Sequence, residues 1–155
     1  MERGFLFSTD ASFSVFLIFS ACALFLFHIS SAYSAQETAI NDFSEFRKAS
    51  SLLNSFVNDR NETFPLYGCA FYSGEKRRVM ENLLDYSLLV KTEAGFYLGN
   101  DFFLQKIHLS FEDGSFETIS EKAEGNNCFA LERFVLVKYL LEEKKAKIVM
   151  RFCHG

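Results

Sequence analysis

From Ala11 to Gln36 the chain carries no Asp, Glu, Lys or Arg, and Phe, Leu, Ile, Val and Ala dominate from Phe5 to Ile29. That stretch limits the possible folds more than any other. At ~1.5 Å per residue, a helix of roughly 20 such residues crosses a ~30 Å hydrocarbon layer. A core helix of a small soluble domain shows a polar face at every turn, and this one offers only Ser. Serine is tolerated because its hydroxyl can bond back to a carbonyl one turn earlier. The stretch reads as a membrane segment.

The flanks set orientation and processing. Before the segment lie the α-amino group and Arg3; the first charges after it are Glu37, Asp42 and Glu45. The positive-inside rule then predicts an inside amino terminus and an outside domain, where disulfides are permitted. Ser30 to Ala35 loosely matches the small-residue cleavage site of a secretory signal. The apolar run, however, exceeds the usual ~7–15 residues, and Glu2 offsets Arg3 in the short leader. No Pro or Gly interrupts Phe5 to Asp59. Apolar residues continue at Ala39/Ile40, Phe43, Phe46, Ala49, Leu53 and Phe56/Val57, with Glu37, Asn41, Asp42, Glu45, Lys48 and Asn54 between them. Spacings of three and four predict an amphipathic helix, so one helix of roughly 50 residues (~75 Å) is expected to end near residue 58. Ser8 or Thr9 is placed to cap it, with Asp10 in its first turn.

Met1-Glu2-Arg3-Gly4 followed by Phe5-Leu-Phe-Ser-Thr-Asp10 and a long apolar run resembles the class III (prepilin-type) signal of type IV pilins and pilin-like proteins, of archaeal type. The resemblance covers the first ~55 residues by pattern. It implies cleavage between Gly4 and Phe5 by a prepilin-type peptidase, with the apolar helix kept on the mature subunit. Bacterial pilins usually carry Glu five residues after the cut; here Thr9 stands there and Asp10 follows. Phe5 and Asp10 are the implied assembly residues, with Asp10 facing the new amine of a neighbouring subunit or merely favouring the helix start. The partners implied are the peptidase, copies of the chain or other pilin-like subunits, and the membrane.

Beyond the helix, Asn61-Glu62-Thr63 forms a glycosylation sequon near a turn at Pro65, the only proline. Val79, Met80, Leu83, Leu84 and Leu88 predict a second helix over 75–90, with Lys76, Arg77 and Arg78 on its solvated side. The period then changes to two. Phe103, Gln105, Ile107, Leu109 and Phe111 alternate with Phe102, Leu104, Lys106, His108 and Ser110, and Asp113-Gly114 marks a hairpin into 115–120. A second hairpin, 129–139 with 145–152, turns near 141–144. The expected fold is α+β: a long amino-terminal helix on a small antiparallel sheet of four strands, with one further helix. Three regions follow: a leader (1–4), a transmembrane or filament-core helix (5–33) and an outside domain (34–155).

Four cysteines occur, with no CxxC or Cys/His zinc spacing. Cys22 reads as a small packing residue in the apolar helix. On strand parity, Cys128 and Cys153 share the face opposite to the apolar one. They stand opposite each other if the hairpin turns between Leu140 and Leu141, and about four residues apart if it turns at Glu143. The resemblance implies a carboxy-terminal disulfide loop, which this pair would form; Cys69 with either is the rival. Closing roughly 25 residues is worth about 3 kcal/mol.

The net charge of −4, of which Glu2, Arg3 and Asp10 supply −1, argues against nucleic-acid binding. His28, His108 and His154 are not spaced to share a metal, and no nucleophile motif or phosphate-binding loop occurs. No enzyme activity, cofactor or metal is expected. The function expected from the resemblance is a structural subunit of a type IV pilus-like extracellular filament, serving assembly or adhesion. The alternatives are an amino-anchored single-pass protein with a partner-binding outside domain, and a secreted domain cut near Ala35.

Overall fold

The computed structural model describes the backbone at residues 3–99, 101–122, 124–140 and 142–155, and side chains from residue 11 onward with the same gaps. Two compact units divide the chain, Met1–Phe43 and Ser44–Gly155.

α1 runs without a break from Arg3 to Asn58, 56 residues and roughly 84 Å of helix. Its helical backbone begins upstream of Ser8 and Thr9, so neither caps it and Asp10 lies past the first turn. The helix is long because nothing stops it: the first Pro after it is Pro65, and the first Gly is Gly68. From Ala11 the helix is long and apolar enough to span a membrane, with a mean hydropathy of 2.2 over its most apolar window.

In the second unit, α1 contributes Ala49, Leu52, Leu53, Phe56 and Val57 to a single core. The sheet facing it has six strands: β1 (Ala70–Ser73), β2 (Arg78–Asp85), β3 (Phe102–Phe111), β4 (Phe116–Glu121), β5 (Asn126–Tyr139) and β6 (Glu142–His154). Their order is β1-β2-β5-β6-β3-β4. The expected α+β class with a long amino-terminal helix is present. The sheet is larger than expected and mixed, because β2 runs parallel to β5 while the other neighbours are antiparallel.

The helix expected over 75–90 is replaced by strand and turn. Residues 74–77 turn, with Arg77 at φ 49° and the Ser73 hydroxyl accepting the Lys76 N–H. β2 follows, and only Tyr86–Leu89 is helical (α2), capped by Asp85, which accepts the Ser87 N–H. The apolar residues mimic helical spacing because β2 is bulged. Phe71 pairs with Met80 and Ala70 with Leu84, so 81–83 are extra, and Asn82 sits at φ 56°. A bulge shifts the two-residue alternation and leaves spacings of three and four.

The hairpin through Asp113-Gly114 forms as expected, as β3 and β4. The last hairpin turns directly after Tyr139, earlier than the 141–144 expected: Tyr139 pairs with Glu142, and Leu140 lies at φ 45°. That register places Phe129, Leu131 and Val135 opposite Phe152, Met150 and Ala146 on the core face.

Candidate functional site

The apolar half of α1, which could serve as an anchor, is the first feature of the chain that calls for a partner surface. Phe13, Phe16, Phe19, Leu24, Phe25, Leu26 and Phe27 are all more than 60% exposed. Fully burying a Phe or Leu is worth about 1.5–3 kcal/mol, so water is the wrong surroundings for this face. The apolar stripe predicted along the amphipathic half is buried only from Ala49 onward. Ile40 and Phe43 remain exposed, and Phe46 is half covered by Phe129. Cys22 is a free, exposed thiol of the anchor. Gly4, Phe5 and Asp10 lie on the helical backbone of α1, but their side chains fall outside the described residues, as does any contact they make.

The carboxyl-terminal strand carries a disulfide, Cys128–Cys153, with Cα atoms 4.1 Å apart. The turn directly after Tyr139 satisfies the register condition that strand parity set for this pair. Cys69 is free and buried, so the rival pairing is absent. Burial pushes its thiol up to about 12, far from a reactive thiolate. Gly125 packs against the bridge so closely that a Cβ on it would lie 2.5 Å from the Cys153 Cβ and 2.6 Å from the His154 carbonyl oxygen. On the core side Phe102, Phe129 and Phe152 stack, with ring centroids 5.7–5.8 Å apart. Two polar contacts tie α1 to this end: His154 Nε2 lies 3.0 Å from Glu45 Oε2, and Arg133 donates to Asn54. Arg133, the charged residue on an otherwise apolar strand face, is thereby explained by its partner on the helix.

The exit of α1 is fixed by a second cluster. Arg60 donates to Glu62 at 2.9 Å, to Asp85 at 3.1 Å and to the Ala70 carbonyl at 3.4 Å. Burial pushes the Asp85 carboxyl up, but donors from Ser87 and Arg60 outweigh it and hold the group below its ordinary value. Sequence spacing contains no signal for this pair, because the bulge in β2 decides where Asp85 lands.

The histidines stay apart, and among the described residues no group of His, Cys, Asp and Glu could hold a metal. His28 is on the anchor, beside Phe27. Burial, reinforced by Lys106, lowers the pKa of His108 on β3, whose Nδ1 has no hydrogen-bond partner among the described residues. Tyr86 and Tyr139 donate to opposite oxygens of Glu117, at 2.5 and 3.4 Å, so both phenols and the carboxylate satisfy one another.

Two surface clefts lie among the described residues of the sheet domain. One, about 440 Å³, lies where β2 diverges from β5, between Asn82 and the exposed Phe134 and Leu136. The other, about 470 Å³, is lined by Thr63, Phe64, Tyr67, Lys91, Phe96 and Lys122, among others. Thr63 of the sequon lines it, two residues after Asn61. The Asn61 Oδ1 accepts the N–H groups of Thr63 at 3.1 Å and Phe64 at 2.9 Å, a local turn, and its Nδ2 has no partner among the described residues. No known protein family, curated protein or solved structure matched this chain.

Proposed function

We propose that this chain is a structural subunit of a type IV pilus-like extracellular filament, inserted through α1 with its amino terminus inside and its sheet domain outside. One observation carries the reading: a single uninterrupted helix is apolar and, Ser20 apart, exposed from Ala11 through Ile29, yet built into a domain core over its last turns. Such a helix suits two successive environments, lipid before assembly and the helices of neighbouring subunits afterwards. The exposed Ile40 and Phe43, beyond the charge-free stretch, extend the surface available for subunit packing. Arg3 before the anchor and the acids after it support the orientation. In this reading a prepilin-type peptidase cuts after Gly4, and Phe5 becomes the mature terminus.

Amino-terminal sequencing of the natural protein tests it. Phe5 is expected at the terminus, and Gly4→Leu should block the cut, because a peptidase that needs a small residue there is sterically excluded. Met1 at the terminus, with no filaments labelled by antibodies to this chain, would leave a single-pass anchored protein. A terminus near Gln36 would leave a secreted domain.

A further inference from the structure

We propose that Asn61 carries an N-linked oligosaccharide whose first sugars rest in the aromatic cleft beside it. The proposal rests on the outside placement of the domain argued above. Three observations converge. First, Asn61-Glu62-Thr63 has the acceptor spacing. Second, the Asn61 carboxamide is already shaped for modification. Its Oδ1 takes two backbone N–H groups, which draw electron density from the amide and ease loss of a proton from Nδ2, which has no partner among the described residues. Third, the cleft begins at the sequon itself, since Thr63 and Phe64 both line it.

The chemistry balances with one co-reactant, a sugar activated as its lipid-linked diphosphate. Nδ2 bonds to the anomeric carbon, and the C1–O bond breaks. The diphosphate leaves with the electron pair, and the Nδ2 proton passes to a base of the membrane-bound transferase.

The cleft suits a sugar in size and lining. At about 470 Å³ it falls within the ~300–1,000 Å³ of small-molecule sites. Phe64 and Tyr67 are 62% and 40% exposed, and Tyr67 stands edge-on to Phe96 with centroids 5.5 Å apart. Aromatic faces take up the C–H faces of pyranose rings, while Lys91, Lys122 and Glu93 supply donors and acceptors for hydroxyls. Lys122 is laid over Gly95 at φ 91°, where a Cβ would strike its Cδ. Neither lysine has an ion-pair partner among the described residues. Weak stacking suffices here, because a covalent tether holds the sugar at an effective concentration on the order of millimolar.

The test uses full-length protein from its natural membrane. Peptide mass mapping should find sugar on Asn61 and none in Thr63→Ala, which keeps the Asn61 turn. Glycosylated wild type should melt a few degrees above Thr63→Ala, and Tyr67→Ala should erase that difference in a double-mutant cycle. A membrane-impermeant amine label on intact cells reports domain placement separately. Labelling without sugar on Asn61 overturns the proposal and leaves the outside placement standing; no labelling and no sugar overturns both. Sugar present with no coupling to Tyr67 overturns the seat.

Discussion

Breaking the Cys128–Cys153 bridge should destabilise the sheet domain by an amount the structure sets. The bridge joins residues 25 apart in sequence. In the chain-entropy model a loop of that length withholds about 12 cal/mol/K from the unfolded chain, or about 3.5 kcal/mol at 25 °C. A unit of roughly 110 residues, Ser44–Gly155, unfolds with about 0.24 kcal/mol/K, so the midpoint should fall by about 15 °C. The variant pair is Cys128→Ala with Cys153→Ala, since serine would bury a hydroxyl at the fully buried Cys153, whose sulfur lies 3.5 Å from the Gln105 Oε1, and add a new polar contact to the comparison. Near-ultraviolet circular dichroism of full-length protein in detergent follows Tyr86 and Tyr139 in the sheet domain. Chemical reduction of the wild type should reproduce most of the shift. A shift under about 3 °C would refute the argument, because the β5–β6 register alone would then hold the end of the chain. Failure to fold would refute it from the other side, since the bridge would then act on native packing rather than on the unfolded chain.

Three further predictions use separate parts of the molecule. Gly125→Ala should cost about 1–3 kcal/mol, because its Cβ meets backbone at His154 as well as the Cys153 side chain; a denaturation midpoint equal to wild type counts against the packing described. Asp85 is held below its ordinary value in the folded state, so its contribution is complete above the unfolded carboxylate pKa of about 3.9 and is lost as pH falls through the folded value. Asp85→Asn should therefore flatten the acid limb of the stability profile below about pH 4, and an unaltered limb would assign it to other carboxylates. Under the filament reading, Asp10 is the only acid between the new terminus and Glu37, and an unpaired amine in an apolar core costs several kcal/mol. Asp10→Asn should leave insertion and domain folding intact but reduce subunit incorporation, and normal filament yield rejects the pairing.

How much the sequence determines depends on the range of the interactions involved. The long apolar helix follows from composition and spacing: the run from Ala11 to Gln36 holds no charge, Pro or Gly to break it, and the amphipathic spacing extends it to Asn58. Local turn chemistry likewise makes the Asp113-Gly114 hairpin legible. The Cys128–Cys153 bridge was legible only conditionally, because strand parity gave the face while the turn directly after Tyr139 gave the register. The segment 75–90 was misread because a three-residue bulge at Asn82 breaks the strand period, and a bulge is decided by what the strand must pair with. Tertiary structure alone decided the parallel β2–β5 pairing, the Arg60–Asp85 contact, the burial of Cys69 and the cleft beside Asn61. Each joins residues distant in the chain, and neither periodicity nor composition records such a meeting.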